Sequence, residues 1–270
     1  METKSIISLF FILQAINNVV NLVVAQEPRP DQQYFKCSNK GDFETEDLVE
    51  ERDYALDILY KLFAREKNYT GYEFLITSKG VQAHGLCPSL IKKEACAECI
   101  NNTVAYLKKT CPKQKEGVAW TALPFLNCMV RYSDDEIQKV LEMSNWAIFP
   151  SPPNQANSDP GPLEKLYNSL VKNLKELAAE GDRMMKYGAG SFFYTSDDSP
   201  TLYGVMQCLP DLNKDDCIEC LSAAVKEIDN CCSYKRTRGG RALCASCYFW
   251  YSLDNILEPK TLWTPFVTSP

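Results

Sequence analysis

The most constraining feature of this sequence is a cysteine pattern that occurs twice. Cysteines separated by eight and then two residues occupy positions 87–99, and the same spacing recurs 121 residues later at positions 208–220. Self-similarity at a fixed offset is the signature of an internal repeat. We therefore predict two homologous domains in tandem. Two further cysteine pairs follow the repeat: Cys111 with Cys232, and Cys128 with Cys247.

Length and composition fit a globular protein with two cores. The chain has 270 residues, of which 45% are hydrophobic and 24% are charged, enough for two domains that each bury a core. The formal net charge is −6, and the sequence pI is near 5.1. This charge argues against non-specific attraction to nucleic acid, so no nucleic-acid partner is expected.

The N-terminus has the organisation of a signal peptide. A lysine precedes a mostly apolar stretch at residues 6–16, and a Val-Val-Ala run precedes Gln26. The alternative is a membrane anchor, but Gln14 and three asparagines interrupt the apolar run, and a span needs about 20 predominantly apolar residues. We predict a cleaved signal peptide over residues 1–25 and a secreted, extracellular product with no membrane span. Thirteen cysteines suit that oxidising destination, and their odd number leaves one unpaired within the chain.

A proline-rich segment separates the two copies of the repeat. Residues 149–162 contain five prolines, which remove backbone donors and disfavour helix and central strand. We predict a linker at residues 150–162, between a first domain over residues 26–149 and a second over residues 163–270.

Hydrophobic periodicity predicts two helices in each domain. Apolar residues recur at steps of three and four at the start of each copy, and a second helix is expected around each Cys-x2-Cys pair. The first stripes are Leu48, Ala55, Leu59 and Leu62, and Leu163, Leu166, Leu170, Leu174 and Leu177. On the last helix, the face expected to be buried is Cys217, Cys220, Ala224, Ile228 and Cys231.

Segments rich in aromatic and β-branched residues predict strands around these helices. The fold class expected is therefore α+β, with two tandem disulfide-rich domains, each an antiparallel sheet packed by two helices. The predicted strand segments are Tyr72–Thr77, Cys128–Tyr132, Ser191–Thr195, Leu202–Cys208 and Ala242–Tyr251.

The doubled cysteine spacing, followed by Gly239–Leu243 and by Ser246-Cys247 before an aromatic strand, resembles the Gnk2-homologous domain, also called DUF26. The resemblance covers residues 35–135 and 162–252. A tandem pair behind a signal peptide resembles the plant cysteine-rich repeat secretory proteins, and is similar to the ectodomains of cysteine-rich receptor-like kinases and plasmodesmata-located proteins. It implies a non-catalytic recognition or interaction module of the apoplast, in defence or signalling. The alternative is a carbohydrate-binding, lectin-like antifungal protein.

The resemblance also implies a disulfide connectivity. The leading cysteine of the second copy is missing, because Ser158 lies at the repeat offset from Cys37. Cys231, Cys232 and the additional Cys244 must then sort among themselves, and we expect a Cys232–Cys244 bridge, with Cys231 as the alternative partner of Cys244. The leftover cysteine would be a free thiol or a link to another chain. The implied pairs are Cys37–Cys111, Cys87–Cys96, Cys99–Cys128, Cys208–Cys217 and Cys220–Cys247.

Zinc is the main competing interpretation of the cysteines. The two Cys-x2-Cys pairs at residues 217–220 and 244–247 have the spacing of a four-thiolate site. The signal peptide and the implied disulfide partners favour disulfides instead, so we expect neither a metal nor any other cofactor.

The sequence contains no recognisable arrangement of catalytic residues. The single histidine, His84, combines with no recognisable nucleophile or acid in the sequence, and is expected at a strand end or on the surface. We therefore expect no enzyme activity.

Sugar recognition by the resembled family is carried by an Asn, an Arg and a Glu. Only the Arg is retained, as Arg241, which is thus the one candidate ligand-binding residue; mannose recognition by that mechanism is not expected. The residues at the other positions are Ser38, Ala119 and Ser133 in the first copy and Ser252 in the second.

The predicted partner is an extracellular protein or a glycan. A basic cluster in the second copy is a candidate contact surface, with a solvated turn as the simpler interpretation. Aromatic residues 248–251 are candidates for stacking on sugar rings, although strand alternation would bury half of them. Two sequons predict N-glycosylation at Asn68 and Asn101. The basic cluster is Lys235, Arg236, Arg238 and Arg241.

Overall fold

The computed structural model describes residues 33–65, 71–89, 91–123, 126–151, 160–181, 185–193 and 200–257. The predicted signal peptide, Asn68 and most of the predicted linker lie outside these residues. The described residues from Tyr34 onward belong to one compact unit. Within the described residues, none of the helices is both long and apolar enough to cross a membrane.

The first domain is a five-stranded sheet with two helices on one face. The sheet order is β1-β4-β5-β3-β2, and the pairs β2–β3, β3–β5 and β4–β5 are antiparallel. In chain order the elements are β1 (Gln33–Cys37), α1 (Glu46–Phe63), β2 (Tyr72–Ile76), β3 (Gln82–Leu86), α2 (Lys93–Thr110), β4 (Glu116–Leu123) and β5 (Leu126–Ser133).

The second domain repeats this arrangement. Its sheet order is β6-β9-β10-β8-β7, so each strand takes the place of its counterpart in the first sheet. The elements are β6 (Ala147–Pro150), α3 (Pro160–Glu180), β7 (Tyr187–Phe192), β8 (Leu202–Cys208), α4 (Lys214–Cys232), β9 (Gly239–Leu243) and β10 (Cys247–Ser252). The α+β fold of two helix-packed antiparallel sheets is as predicted.

The helices form where the apolar stripes predicted them, and most of each stripe packs against a sheet, but Leu177 at the end of the α3 stripe is 44% exposed. In α3, Leu166, Leu170 and Leu174 are nearly or fully buried, as expected for residues three and four apart on one helix face. The backbone of α3 comes so close to β7 that a Cβ on Gly188 would lie 2.6 Å from the Leu174 carbonyl oxygen. A residue without a side chain is therefore needed at that point of the sheet.

Several element boundaries differ from the prediction. Residues 147–149 were assigned to the first domain, but β6 pairs with β9 and so belongs to the second sheet. Helix α3 already begins at Pro160, and β7 ends at Phe192. The single strand predicted for residues 242–251 is two strands, because residues 244–246 form the connection between β9 and β10. These differences arise because strand pairing is decided by distant residues that local composition does not register.

The two domains share a buried junction. The side chains of Leu86, Trp120 and Met129 in the first domain belong to one apolar cluster with Leu243 and Tyr248 in the second. Several hydrogen bonds cross this junction. Among them, the Trp120 Nε1–H donates to the Cys244 carbonyl oxygen at 3.2 Å, and the Gln207 amide donates to the Cys87 carbonyl oxygen at 3.1 Å.

Candidate functional site

The cysteines of the two domains form matching cross-links. In each domain one bridge joins the strand before the second helix to that helix, and another joins the helix to the last strand. The structure brings together the five pairs that the resemblance implies: Cys37–Cys111, Cys87–Cys96, Cys99–Cys128, Cys208–Cys217 and Cys220–Cys247.

The expected Cys232–Cys244 bridge is wrong. Cys231 is joined to Cys232, and Cys244 is a buried free thiol. Cys244 Sγ lies 3.5 Å from Cys220 Sγ, and Cys220 is twelve residues from Cys232 along α4, about 18 Å at the helical rise per residue. A disulfide needs Cα atoms within about 7 Å, so Cys244 cannot reach Cys232. The burial of Cys232 rather than Cys231 also corrects the predicted helix face.

Three sulfur atoms of the second domain lie close together. The Sγ atoms of Cys220, Cys244 and Cys247 are all within 4.8 Å of one another. Two of them form the Cys220–Cys247 disulfide, and Cys217 is bonded to Cys208. Three of the four thiolates that the zinc interpretation requires are therefore in disulfides. Burial raises the pKa of Cys244 to about 12, which keeps this thiol protonated.

His84 is not a surface residue, contrary to the expectation. It lies in the middle of β3 and is fully buried, opposite Arg131 on β5. Neither ring nitrogen has a hydrogen-bond partner among the described residues. Burial, and secondarily the charge of Arg131, lower the His84 pKa to about 3, so the imidazole is neutral at ordinary pH. Arg131 itself is paired with Glu116 at 2.5 Å.

Arg241 lies within a strand rather than in a turn. Its guanidinium carbon is 4.1 Å from the centroid of the Trp250 ring on β10, opposite it in the register of the sheet. Burial lowers the Arg241 pKa to about 10. In the first domain Val118 takes the corresponding place opposite Arg131, so Val118 rather than Ala119 is the structural counterpart of Arg241.

Serines at the other family sugar positions make structural contacts. The hydroxyl of Ser133 accepts a hydrogen bond from the Asp135 backbone N–H at 3.1 Å, and Ser252 accepts one from Asp254 at 3.0 Å. Both serines are buried, and Ser38 is partly exposed. These contacts cap the turns that follow β5 and β10.

The other candidate contact residues from the sequence, the basic cluster and the aromatic residues 248–251, mostly make contacts within the protein. Arg238 pairs with Asp254 at 2.6 Å, Arg236 donates to the Asn230 carbonyl oxygen at 3.0 Å, and Lys235 Nζ lies 3.8 Å from a Glu164 carboxylate oxygen. Two of these three cations therefore have a carboxylate neighbour, and the third is bound to a backbone carbonyl. All four aromatic residues at positions 248–251 are buried, because both faces of β10 are covered.

Of the two predicted glycan acceptors, the structure describes one. Asn101 is exposed on α2, but Thr103 of the same sequon is buried and hydrogen-bonded to the Cys99 carbonyl oxygen at 2.8 Å. Glycosylation at Asn101 stays a prediction.

A cleft at the domain junction was not predicted from the sequence. Its volume is about 390 Å³, which is within the range of small-ligand sites. Its walls come from the start of β2, from the segment after β5 and from the β8–α4 loop. The lining residues are Tyr72, Gln138, Lys139, Pro210, Asp211, Leu212 and Asn213.

Asp211 connects the walls of this cleft. Its Oδ2 accepts hydrogen bonds from the Tyr72 hydroxyl at 3.2 Å and from the Lys139 backbone N–H at 2.9 Å. Its Oδ1 is buried and has no partner among the described residues. Burial and the neighbouring Asp211 raise the pKa of Tyr72, so the phenol stays neutral. No sequence signal marked this cleft, because its lining residues are scattered over positions 72–213.

The repeated fold and its matching disulfides define a tandem of two domains of one type. A family described as "Salt stress response/antifungal" matches residues 36–135 and 152–254. The chain belongs to this family and contains two of its domains in tandem. The prediction of two Gnk2-homologous (DUF26) domains is thereby confirmed.

Similar sequences are found in Arabidopsis thaliana. Over 238 residues the chain is 26% identical to Cysteine-rich repeat secretory protein 38, covering 87% of this chain and 89% of that protein. Over 191 residues it is 34% identical to Cysteine-rich receptor-like protein kinase 29, covering 67% of this chain. The matched part is 27% of the length of that kinase.

Solved structures have the same fold. The tandem DUF26 ectodomain of the Arabidopsis thaliana cysteine-rich receptor-like protein PDLP8 matches with a TM-score of 0.62 and 18% identity, covering 81% of this chain and 96% of that one. The corresponding ectodomain of PDLP5 matches with a TM-score of 0.57 and 21% identity, covering 81% of this chain and 97% of that one. At these identities the likeness establishes the fold alone.

Proposed function

We propose that the protein is a secreted, non-catalytic recognition module of the plant apoplast that acts in defence or signalling. Its likeness to a cysteine-rich repeat secretory protein over most of both chains supports secretion. The cross-linked domains suit an oxidising compartment. Cleavage of residues 1–25 and N-glycosylation at Asn68 and Asn101 belong to the same proposal.

The cleft at the domain junction is the ligand site in this proposal. The observation that carries it is the Asp211 carboxylate, which holds both walls together with one oxygen while the other has no partner among the described residues. Clefts between domains are a preferred location for binding sites. An exposed Lys139 and a carboxylate place donors and acceptors in the same cleft, so a small neutral or zwitterionic polar group fits it better than a strongly charged one.

The lectin-like alternative uses the sugar position of the family, Arg241. That side chain is partly buried and stacked on Trp250, and its companion position is Ser252, which caps a turn. These contacts favour the junction cleft over the Arg241 position as the place where a ligand binds.

The test compares two carboxylate variants. Asp211→Asn removes the charge in the cleft with little change in size, and Asp215→Asn removes an exposed charge in the first turn of α4 outside it. Each protein is applied to a glycan array and to immobilised ectodomains of cysteine-rich receptor-like kinases. We expect at least one glycan or ectodomain to bind the wild type and the Asp215→Asn variant, with binding at least tenfold weaker for Asp211→Asn.

Two results would contradict the proposal. One is the absence of binding to both panels. The other is a bound ligand whose affinity is the same for Asp211→Asn and for wild type. Loss of binding on Arg241→Ala with no effect of Asp211→Asn would favour the lectin-like alternative.

A further inference from the structure

The free thiol of Cys244 lies in contact with a disulfide. Its Sγ is 3.5 Å from Cys220 Sγ and 3.9 Å from Cys247 Sγ, and those two atoms are bonded to each other. All thirteen cysteines lie in the described residues, and Cys244 is the one among them that is in no disulfide. A thiol held against a disulfide in this way has the components of thiol–disulfide exchange.

We propose that Cys244 exchanges with the Cys220–Cys247 bridge, so that the second domain has two disulfide isomers, and that packing of the first domain controls the rate. The Cys244 thiol loses its proton, and its sulfur attacks Cys220 Sγ. The Cys220–Cys247 bond breaks as the Cys220–Cys244 bond forms, and Cys247 leaves as a thiolate that takes up the proton. One disulfide and one thiol are present before and after, so the step needs no oxidant or reductant.

Attack at Cys220 conserves the cross-link between α4 and the sheet. The present bridge spans a sequence separation of 27 residues, and the product would span 24. Loop lengths this similar have nearly the same closure entropy, so chain entropy disfavours neither isomer. Attack at Cys247 would instead close a ring over residues 244–247 and leave α4 without its bond to β10.

The first domain covers the reacting thiol. Cys244 is nearly fully buried, and a void of only about 10 Å³ separates it from Leu86, Trp120 and Met129 of the first domain. The Trp120 indole N–H is hydrogen-bonded to the Cys244 carbonyl oxygen. Since the thiolate is the nucleophile, exclusion of water at this junction slows the exchange while the domains are packed together.

Electrostatics around Cys244 support slow exchange in the closed junction. Burial is the main cause of its raised pKa, and the charge of Glu142 adds to it. Hydrogen bonds from the backbone of Ser246 and Cys247, and the charge of Arg131, act in the opposite direction. Opening the junction removes the burial, which lowers the pKa toward its ordinary value and exposes the thiolate to react.

The experiment maps disulfides in the intact protein under non-reducing conditions. Protein kept at pH 6 or pH 8.5 is quenched with acid, unfolded, alkylated at its free thiol and analysed by peptide mass spectrometry. At pH 6 we expect alkylation at Cys244. During incubation at pH 8.5 we expect alkylation to transfer to Cys247 as a Cys220–Cys244 peptide accumulates. The Cys244→Ser variant should show no such transfer.

Junction variants test the control by the first domain. Trp120→Ala opens the junction. Trp120→Phe removes the hydrogen bond and a smaller part of the ring, and it is used in case the alanine variant fails to fold. Tyr106→Ala is the matched control, because Tyr106 packs on Phe35 in the first domain away from Cys244. We expect at least a tenfold faster transfer in Trp120→Ala, a smaller acceleration in Trp120→Phe, and the wild-type rate in Tyr106→Ala.

Three results would overturn the proposal. The first is Cys244 as the only alkylated cysteine in all folded variants at pH 8.5, when protein unfolded in guanidinium exchanges in the same assay. The second is a Cys244–Cys247 peptide in place of Cys220–Cys244. The third is an equal acceleration in the Trp120 and Tyr106 variants, which would assign the exchange to general unfolding.

Discussion

The indole nitrogen of Trp120 lies 3.2 Å from the carbonyl oxygen of Cys244, so a side chain of the first domain is hydrogen-bonded to the backbone of the second. Both residues are nearly fully buried. A buried carbonyl that loses its donor has no water to replace it. This bond therefore contributes directly to holding the two domains together.

The variant Trp120→Phe should destabilise the protein by about 1 to 3 kcal/mol, because it leaves the Cys244 carbonyl oxygen without its donor. The free energy of unfolding, obtained from urea titration, measures this loss. Trp146→Phe is the control, since the partly exposed Trp146 indole has no hydrogen bond to the described part of the chain. An equal loss in both variants would mean that ring size, and not the hydrogen bond, determines the effect.

Two glycines on β7 should respond differently to alanine. A Cβ on Gly188 would lie 2.6 Å from the Leu174 carbonyl oxygen, whereas the nearest atom to a Cβ on Gly190 is 3.8 Å away. We expect Gly188→Ala to destabilise by about 1 to 3 kcal/mol and Gly190→Ala to be neutral or to stabilise by up to about 1 kcal/mol. Thermal unfolding of the two variants makes the comparison. A Gly188→Ala variant as stable as wild type would mean that α3 can move away from the sheet.

Tyr132 on β5 and Tyr251 on β10 occupy matching places in the two domains and should contribute similar stability. The Tyr251 hydroxyl donates to the Cys232 carbonyl oxygen at 2.6 Å. The Tyr132 hydroxyl donates to the Cys111 carbonyl oxygen at 3.2 Å. Each Tyr→Phe change should cost about 0.5 to 1.5 kcal/mol, because a helix-terminal carbonyl loses one of its two hydrogen bonds and keeps the other, from Thr237 to Cys232 and from Arg52 to Cys111. Tyr203→Phe, whose hydroxyl makes no bond to a described residue, is the control for chemical denaturation. Costs below about 0.5 kcal/mol for both changes would show that water replaces the hydroxyl.

His84 should make stability depend on acidity. Its pKa is about 3 in the folded protein and about 6.5 in an unfolded chain. The unfolded state therefore binds the proton first, so stability is full above about pH 6.5 and falls as the pH drops toward 3. Between pH 7 and 4.5 this contribution falls by about 2 to 3 kcal/mol. The His84→Leu variant should lack it.

Urea titrations of wild type and His84→Leu at pH 7 and pH 4.5 measure that difference. The carboxylates titrate in both proteins and cancel in the comparison. The same loss of stability in wild type and His84→Leu would show that the imidazole is protonated in the folded protein.

Features set by residues close together along the chain could be predicted from the sequence, whereas features set by distant residues could not. The stripe from Leu163 to Leu177 predicted α3 because helix periodicity is a local property. The register that brings β6 onto β9 was missed because pairing partners lie far apart in sequence. The same reason applies to the junction cleft, whose central residue Asp211 contacts Tyr72 across 139 positions.

Local patterns along the chain were enough to predict the duplication, the class of each domain and the helices. Cysteine spacing and apolar periodicity depend on residues close together along the chain, and both patterns occur in each copy of the repeat. The free thiol of Cys244, the burial of His84 and the cleft at Asp211 became visible only in the folded protein. Each depends on which distant residues become neighbours once the sheets pack together, and the free energies of burial and hydrogen bonding that select those neighbours arise only in the folded chain.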